Sequence, residues 1–533
     1  MLAAVSALLF VLERVIAVPQ IVIGGGSLSA LAAAVTAANV SQALEWDLDV
    51  LLLEPTDWAG GQLTSSNVPP DFGRQNSIPQ NLPASFVALL ENSINDPGWK
   101  LNPGDCWVSY KCFEAQLAAN FIRDSLLPHF PRLKVLYNTV VKKAIFDAST
   151  SRITAIEAIQ RTPIAGTTGY ENLLSRDLTD WYSPADSRTF TKRLLTFHSP
   201  AVVIEATEFG DVLSTAGVTH SLGVETPTEE SDVTDANCGQ STVLPFYMKL
   251  SSSPSGPDLV PSGSDGGQPF SLRNLTWDKS WTYRRSFSAQ PTNASMASTW
   301  DSSNQNLDND YGGGYLFASA EDAERWSGGL NLTALAAAEQ RSYGYYHFVK
   351  SSASTERRPK LYMPTEQTGT SHGLSKTPYL RESRRAKRGL DGFRLLYAHL
   401  NASNPEDGGA TATHFNDTVA IGVYHYADMH LLQHCTYPEY ITCSITPCNH
   451  SVRPYYIPFR ALTAHGVDNM LVSGKSMAQS FLANAATRLH PTEWSTGVAA
   501  GAAAAMMAAR EWSASNVYDA VGELQVQCAH VAL

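Results

Sequence analysis

Ile21-Val22-Ile23-Gly24-Gly25-Gly26-Ser27-Leu28-Ser29 is an apolar run long enough for one buried strand, broken at once by three glycines. The chain then turns helix-forming, Ala30-Leu31-Ala32-Ala33-Ala34-Val35-Thr36-Ala37-Ala38. A second apolar strand, Val50-Leu51-Leu52-Leu53, ends on Glu54. Strand, glycine turn, helix, strand and acid make up a mononucleotide-binding βαβ unit. A diphosphate rests on the helix N-terminus and the acid takes a ribose. Gly24 permits the tight turn, and Gly26 lets the backbone approach a pyrophosphate with no Cβ in the way. Ser29 stands where a third glycine usually allows close helix–strand packing, and serine is small enough to serve. A bound dinucleotide, and with it redox chemistry, is the expectation.

At 533 residues the chain can bury a large core and form two or three domains. Its formal net charge is -12. The densest basic run, Arg381-Glu382-Ser383-Arg384-Arg385-Ala386-Lys387-Arg388, is short and interrupted, and reads as a solvated helix face or as buried ion-pair donors. Nucleic-acid binding needs a broad basic surface and is not expected.

Residues 1–17 read as a signal peptide. Leu2 to Leu12 is apolar but too short to span a bilayer, and Val15-Ile16-Ala17 suits cleavage. Seven N-x-Ser/Thr sequons begin at Asn39, Asn274, Asn293, Asn331, Asn401, Asn416 and Asn449. Cys435, Cys443 and Cys448 cluster where a disulfide would fit an oxidising compartment. The odd total of seven cysteines leaves one thiol free or paired between chains. No later segment is apolar enough to cross a membrane. The expectation is a secreted or secretory-lumen glycoprotein without stable membrane insertion.

Strands and helices alternate to about Val141, with Val135 to Val141 read as one strand. Residues 146–198 are a β-rich insertion, with alternation in Ile153-Thr154-Ala155-Ile156-Glu157-Ala158-Ile159. Ala201-Val202-Val203-Ile204-Glu205 returns to a buried strand. From Ser251 to Asn309 the chain is loop-heavy, although Trp277, Trp281 and Tyr283 argue against plain disorder. Asn469-Met470-Leu471-Val472-Ser473-Gly474 resumes the α/β pattern, and an alanine-rich helix from Gly497 to Ala509 closes it. The fold class is therefore α/β: a discontinuous Rossmann-like domain (18–145, 199–225 and 455–515) with an inserted mixed α+β substrate/cap domain at 226–454. Residues 516–533 form a C-terminal tail.

Glu54 is followed by Pro55-Thr56-Asp57-Trp58-Ala59-Gly60-Gly61-Gln62-Leu63-Thr64. Here the sequence resembles FAD-dependent oxidoreductases of the glutathione-reductase-like Rossmann superfamily, whose core is an FAD/NAD(P)-binding domain. The resemblance implies that Glu54 holds the adenosine ribose, while Gly60, Gly61 and Gln62 pass close to the diphosphate and ribityl chain. It extends to Asn102-Pro103-Gly104-Asp105-Cys106-Trp107-Val108-Ser109, Trp281-Thr282-Tyr283-Arg284-Arg285, Asn309-Asp310-Tyr311 and Arg381-Glu382-Ser383-Arg384-Arg385. Ala206-Thr207-Glu208-Phe209-Gly210-Asp211 is similar to the segment that re-enters the FAD domain, which implicates Gly210 and Asp211. Val141 falls where such proteins contact adenine through the backbone. Late in the chain come Gly474-Lys475-Ser476-Met477 and Ala483 to Gly501. Many relatives have Gly-Asp at the first of these places. With Lys475 there, the cofactor contact falls to Ser476 or to backbone amides.

The resemblance makes FAD the cofactor. A helix N-terminus near Thr496-Gly497-Val498, aimed at the flavin, would stabilise negative charge on it. Arg488 and His490, just before that helix, are candidates for anion binding and proton transfer, against ordinary structural roles. Cys106 and Cys112 read as structural cysteines rather than a redox pair. Gly312-Gly313-Gly314 follows Asp308-Asn309-Asp310 rather than a strand and reads as a loop, so no second nucleotide-binding domain is expected. His425, Asp428, His430 and His434 suit a strand or loop near a substrate pocket. His430 and His434 could share a helix face, but no metal-ligand set is recognisable. The expected reaction is hydride abstraction by FAD from a small organic substrate, with oxygen or another external electron acceptor. The alternatives are a flavin-dependent lyase or isomerase, and a non-enzymatic binding protein on the same scaffold.

Overall fold

The computed structural model describes residues 19–72, 82–98, 100–109, 111–256, 258–288, 301–305, 308–318, 325–443 and 448–530. The signal-peptide reading and the sequon at Asn293 lie outside the described residues. Five parallel strands form the central sheet: β1 (Ile21–Gly24), β2 (Val50–Leu53), β3 (Leu133–Leu136), β4 (Val202–Glu205) and β5 (Met470–Val472). Their order is β5-β4-β1-β2-β3. β1, β2, β4 and β5 are buried along their whole length, which is why they read as continuous Val/Ile/Leu runs rather than alternating ones. β1 lies between β2 and β4, so the glycine turn leaves the sheet in the crevice where the connections diverge.

Helix α1 (Leu28–Ala43) begins at that turn, with the Ser27 side chain accepting from the Ala30 N–H as its cap. It packs on α2 (His490–Arg510) through small residues. A Cβ on Gly497 would stand 2.3 Å from the Ser29 carbonyl oxygen, and one on Gly501 would stand 2.3 Å from that of Ala33.

The structure corrects two expectations and decides between alternatives in two others. The apolar run Val135 to Val141 is two strands, not one: β3 ends at Leu136, Asn138 turns with φ +52°, and Thr139–Asp147 starts a separate sheet. Apolar content on both sides of a tight turn hid the break. The closing helix starts at His490 rather than near Gly497, so Gly497 and Val498 sit two turns inside it. Pro491 in the first turn is the start signal, since proline is tolerated there. His430 and His434 share no helix: the strand Tyr426–Met429 ends just before them. Of the two readings of the basic run, buried ion-pair donors is the one the structure bears out. Arg384 and Arg385 are fully buried; Arg385 pairs with Glu225 at 3.1 Å, and Arg384 donates to the carbonyls of Phe209 and Gly329.

The β-rich insertion is a three-stranded antiparallel sheet of Thr139–Asp147, Arg152–Pro163 and Phe190–His198. In the cap, an antiparallel sheet of Arg285–Phe287, Ser302–Gln305, Phe246–Leu250 and Leu361–Tyr362 encloses an aromatic core with the helix Leu332–Ser352. Trp277 and Trp281 lie in a short helix and stack with centroids 5.1 Å apart, giving the loop-heavy segment its ordered centre. The strand pair Tyr426–Met429 and Cys448–Ser451 packs on the helix Phe481–Thr487 and so brings the cap to the end of the nucleotide domain.

Disulfides join Cys106 to Cys112, Cys238 to Cys435 and Cys443 to Cys448, leaving Cys528 as a thiol. No helix among the described residues is long and apolar enough to cross a membrane.

Candidate active site

The cradle begins where β1 ends. Gly26 adopts φ +113° and has Pro55 at 2.9 Å from where its Cβ would be. Beneath the turn, Val141 lies 3.5 Å from the Cβ position of Gly24. The Gly60-Gly61 step folds back on this turn. Gly61, at φ +53°, has no room for a Cβ, which would lie 2.5 Å from Ser27 Cα. Gly474, at φ +59°, approaches from β5, and its Cβ would lie 2.5 Å from Ser29 Oγ. Four chain segments therefore converge on one glycine-lined surface.

Glu54 terminates β2 and is buried. Its Oε1 accepts from the Thr56 amide at 3.2 Å and hydroxyl at 3.1 Å, while Oε2 has no protein partner. Burial pushes its carboxyl up to about 8 despite those bonds. A buried acceptor left bare is costly unless a ligand satisfies it, and a ribose hydroxyl is the donor this position suits. Gln62 Oε1, Ser473 Oγ and Ser476 Oγ are also buried and unpartnered within the protein. The glycine cradle and these orphaned polar atoms fit a dinucleotide.

Three sequence candidates make packing contacts within the protein. The carboxylate of Asp211 accepts from Trp326 Nε1 at 2.7 Å and from Tyr182 Oη at 3.0 Å, tying the nucleotide domain to the insertion and the cap. Gly210, at φ +73°, makes room for Arg384. Val498 lines an apolar groove with Leu82, Val419 and Ile421, while Gly497 packs against α1. Lys475 does not leave an open gap where relatives have Asp. Its ammonium lies between Glu208, at 2.9 Å, and Glu493, all three buried. Burial alone would lower its pKa, but the two carboxylates outweigh that and raise it.

Beyond the cradle, Gln62 Nε2 donates to the Arg488 carbonyl at 3.1 Å. The Arg488 guanidinium donates to Tyr379 Oη at 2.5 Å and to Asp428 Oδ2 at 3.2 Å, and its Nε has no protein partner. Asp428 Oδ1 is likewise bare and buried. Burial would raise the Asp428 carboxyl, but His430, then Arg488 and Arg381, hold it far below the carboxylate range. His430 bridges Asp428 (3.5 Å) and Asp310 (2.9 Å), and Asp310 in turn meets Arg381 at 2.6 Å. Tyr283, Tyr424, Asp71 and Arg284 complete the surroundings, Arg284 pairing with Asp71 at 3.2 Å.

His490 is fully buried at the start of α2, and its Nδ1 accepts the Asp71 amide proton at 3.2 Å. Burial and the nearby Arg284 push it down to about 3, so it is neutral. The structure thus brings Arg488, Asp428 and His430 together, while His434 is exposed and apart. Tyr379, Asp310, Glu208 and Glu493 complete networks to which the sequence reading assigned them no role, because their partners lie far away in sequence.

Comparison with known proteins agrees with this geometry. The family described as FAD dependent oxidoreductase matches residues 20–168 and 186–527. No curated protein matches the chain. Among solved structures, the myxobacterial FAD-dependent chondrochloren halogenase CndH is 12% identical over 95% of this chain and 78% of that one, with a TM-score of 0.35. E. coli quinol fumarate reductase FrdA is 10% identical over 95% and 74%, with a TM-score of 0.29. Thermovibrio ammonificans THI4 is 13% identical over 39% of this chain, which spans 66% of that structure's length, with a TM-score of 0.22. With the family match running through both ends of the nucleotide domain and the cap between them, the chain belongs to the FAD dependent oxidoreductase family and takes FAD as its cofactor.

Proposed function

We propose that this flavoenzyme is secreted and oxidises a small polar organic substrate, passing the electrons to oxygen or another external acceptor. When bound, FAD supplies the two-electron acceptor for a hydride leaving the substrate carbon. The observation that carries the reading is the link from Gln62 to Arg488. One hydrogen bond joins the dinucleotide cradle to a buried cluster whose bare Arg488 Nε and Asp428 Oδ1 offer a donor and an acceptor to a ligand. Asp71, Arg284, Tyr283 and Tyr424 give the same region alternating charge and hydroxyl groups, which favours a polar substrate over a hydrocarbon.

Secretion is supported by the three disulfides and by exposed sequon asparagines at Asn274, Asn331, Asn401, Asn416 and Asn449. The test is purification from a secreting eukaryotic host. A flavin spectrum, a mass loss on deglycosylation and oxygen consumption with a substrate panel would support the reading. Conversion of substrate with no acceptor consumed would replace it with a lyase or isomerase.

A further inference from the structure

Along one edge of the central sheet the strand ends stand in the order β5-β4-β1-β2, each about 4.8 Å from the next. β2 runs into Glu54, which has one bare carboxylate oxygen, and β1 into the glycine turn that suits a diphosphate. A cofactor with its adenosine ribose on Glu54 and its diphosphate on that turn carries its other hydroxyls, those of the ribityl chain, toward β4 and β5. Glu205 ends β4, but its oxygens already accept from the amides of Thr207, Val212 and Leu213. β5 leads into Gly474 and Lys475, which bring no acceptor side chain to this end.

The acceptor comes from α2 instead. Glu493 stands in its first turn and is fully buried. Lys475 donates to Glu493 Oε1, while Oε2 has no protein partner. A Cβ on Gly474 would lie 2.5 Å from Ser29 Oγ and 3.6 Å from Glu493 Oε1, so this carboxylate edges the glycine-lined surface. Thr496 fixes that closeness. Its hydroxyl accepts from the Gly474 amide at 3.1 Å and donates to the Glu493 carbonyl at 2.9 Å. A carboxylate held by an ammonium accepts hydrogen bonds and donates none, and a buried oxygen left bare is costly. Oε2 therefore calls for a donor, which the phosphates of a dinucleotide cannot supply and its hydroxyls can.

We propose that Glu493 is a cofactor-binding residue, and that its Oε2 accepts a hydrogen bond from a ribityl hydroxyl of FAD. Glu54 and Glu493 then take the two hydroxyl-bearing parts of one molecule, on either side of its diphosphate. Each does so with the oxygen that the protein itself leaves bare. The assignment concerns how FAD is held and is independent of which substrate it oxidises.

The experiment measures ligand binding to the full-length, FAD-stripped protein by calorimetry and flavin fluorescence. ADP shares the adenosine ribose and the diphosphate with FAD but has no ribityl chain. Glu493→Gln should bind FAD about tenfold or more weakly than the wild type, with its affinity for ADP unchanged within about threefold. Glu54→Gln should weaken both ligands. An FAD affinity unchanged in Glu493→Gln, or an equal loss for ADP, overturns the proposal. FAD analogues lacking the 2′-, 3′- or 4′-hydroxyl of the ribityl chain probe the same contact without altering the protein. At least one should bind the wild type about tenfold more weakly than FAD does, and Glu493→Gln should not distinguish that analogue from FAD. If all of them match FAD on the wild type, Oε2 meets some other group and the proposal falls, whether or not the variant folds.

Discussion

Gln62 Nε2 donates to the main-chain carbonyl of Arg488 at 3.1 Å, across 426 residues of chain. The bond fastens the Gly60-Gly61 turn, which carries the dinucleotide surface, to the segment that presents Arg488 toward Asp428. Gln62→Leu keeps most of the volume and removes the donor, leaving a buried carbonyl unsatisfied. Such a loss costs about 1–3 kcal/mol. The variant should show a lower midpoint in chemical denaturation and a lower flavin-to-protein absorbance ratio. A variant that binds flavin and resists denaturant like the wild type would show that the turn and Arg488 are held by other means.

Gly474 and Ser29 are a second long-range pair, with a Cβ at 474 meeting Ser29 Oγ at 2.5 Å. Gly474→Ala should therefore weaken flavin retention, and adding Ser29→Gly should recover part of it, because the obstacle is the end of a side chain. The strain of a non-glycine residue at φ +59° would remain, about 1–2 kcal/mol. Gly497→Ala differs: its Cβ meets the Ser29 main-chain carbonyl, so Ser29→Gly should give no recovery. Thermal melts of the two pairs of variants read the distinction.

The nucleotide domain was legible because its signals are local. A buried strand, a glycine turn and an acid at a strand end follow from a few adjacent residues, and β1, α1, β2 and Glu54 stand where the pattern puts them. The start of α2 was not legible, since Gly497-Val498-Ala499 looks like a beginning when helix propensity alone is weighed. The two turns from His490 to Gly497 are held by burial and by the proline in the first turn. The polar networks were less legible still. Asp428 and His430 could be seen as pocket residues, but nothing near Asp310 says that it meets them. Lys475 read as a departure from pattern until Glu208 and Glu493 supplied its reason.

That triad makes a sharp prediction. Lys475 is the cation between two buried carboxylates, and the pair without it would face one another uncompensated. Lys475→Met should cost about 3–5 kcal/mol, the range for removing one member of a buried ion pair. Burial already pushes Glu208 up to about 7 against the pull of Lys475. In the variant, protonation relieves the repulsion, so the deficit should shrink as pH is lowered. Denaturation at two pH values checks this; a deficit that does not change with pH would mean the loss is packing rather than charge.

Glu54 predicts a pH dependence of opposite origin, because it lacks a cation altogether. Its carboxyl rises from 4.5 to about 8 through burial. A carboxyl with a raised pKa in the fold binds a proton on folding between those values. Its contribution therefore favours the fold at the acid end and is lost as pH rises through that window. Glu54→Gln, neutral throughout, should make the cofactor-stripped protein more stable than wild type near pH 8, with the gap closing toward about pH 5. Flavin binding should run the other way, because an amide oxygen accepts ribose hydroxyls more weakly than a carboxylate. Titration with FAD should show affinity reduced by about tenfold, the equivalent of 1.4 kcal/mol. A variant that gains stability without losing FAD affinity would place the ribose elsewhere than on Glu54.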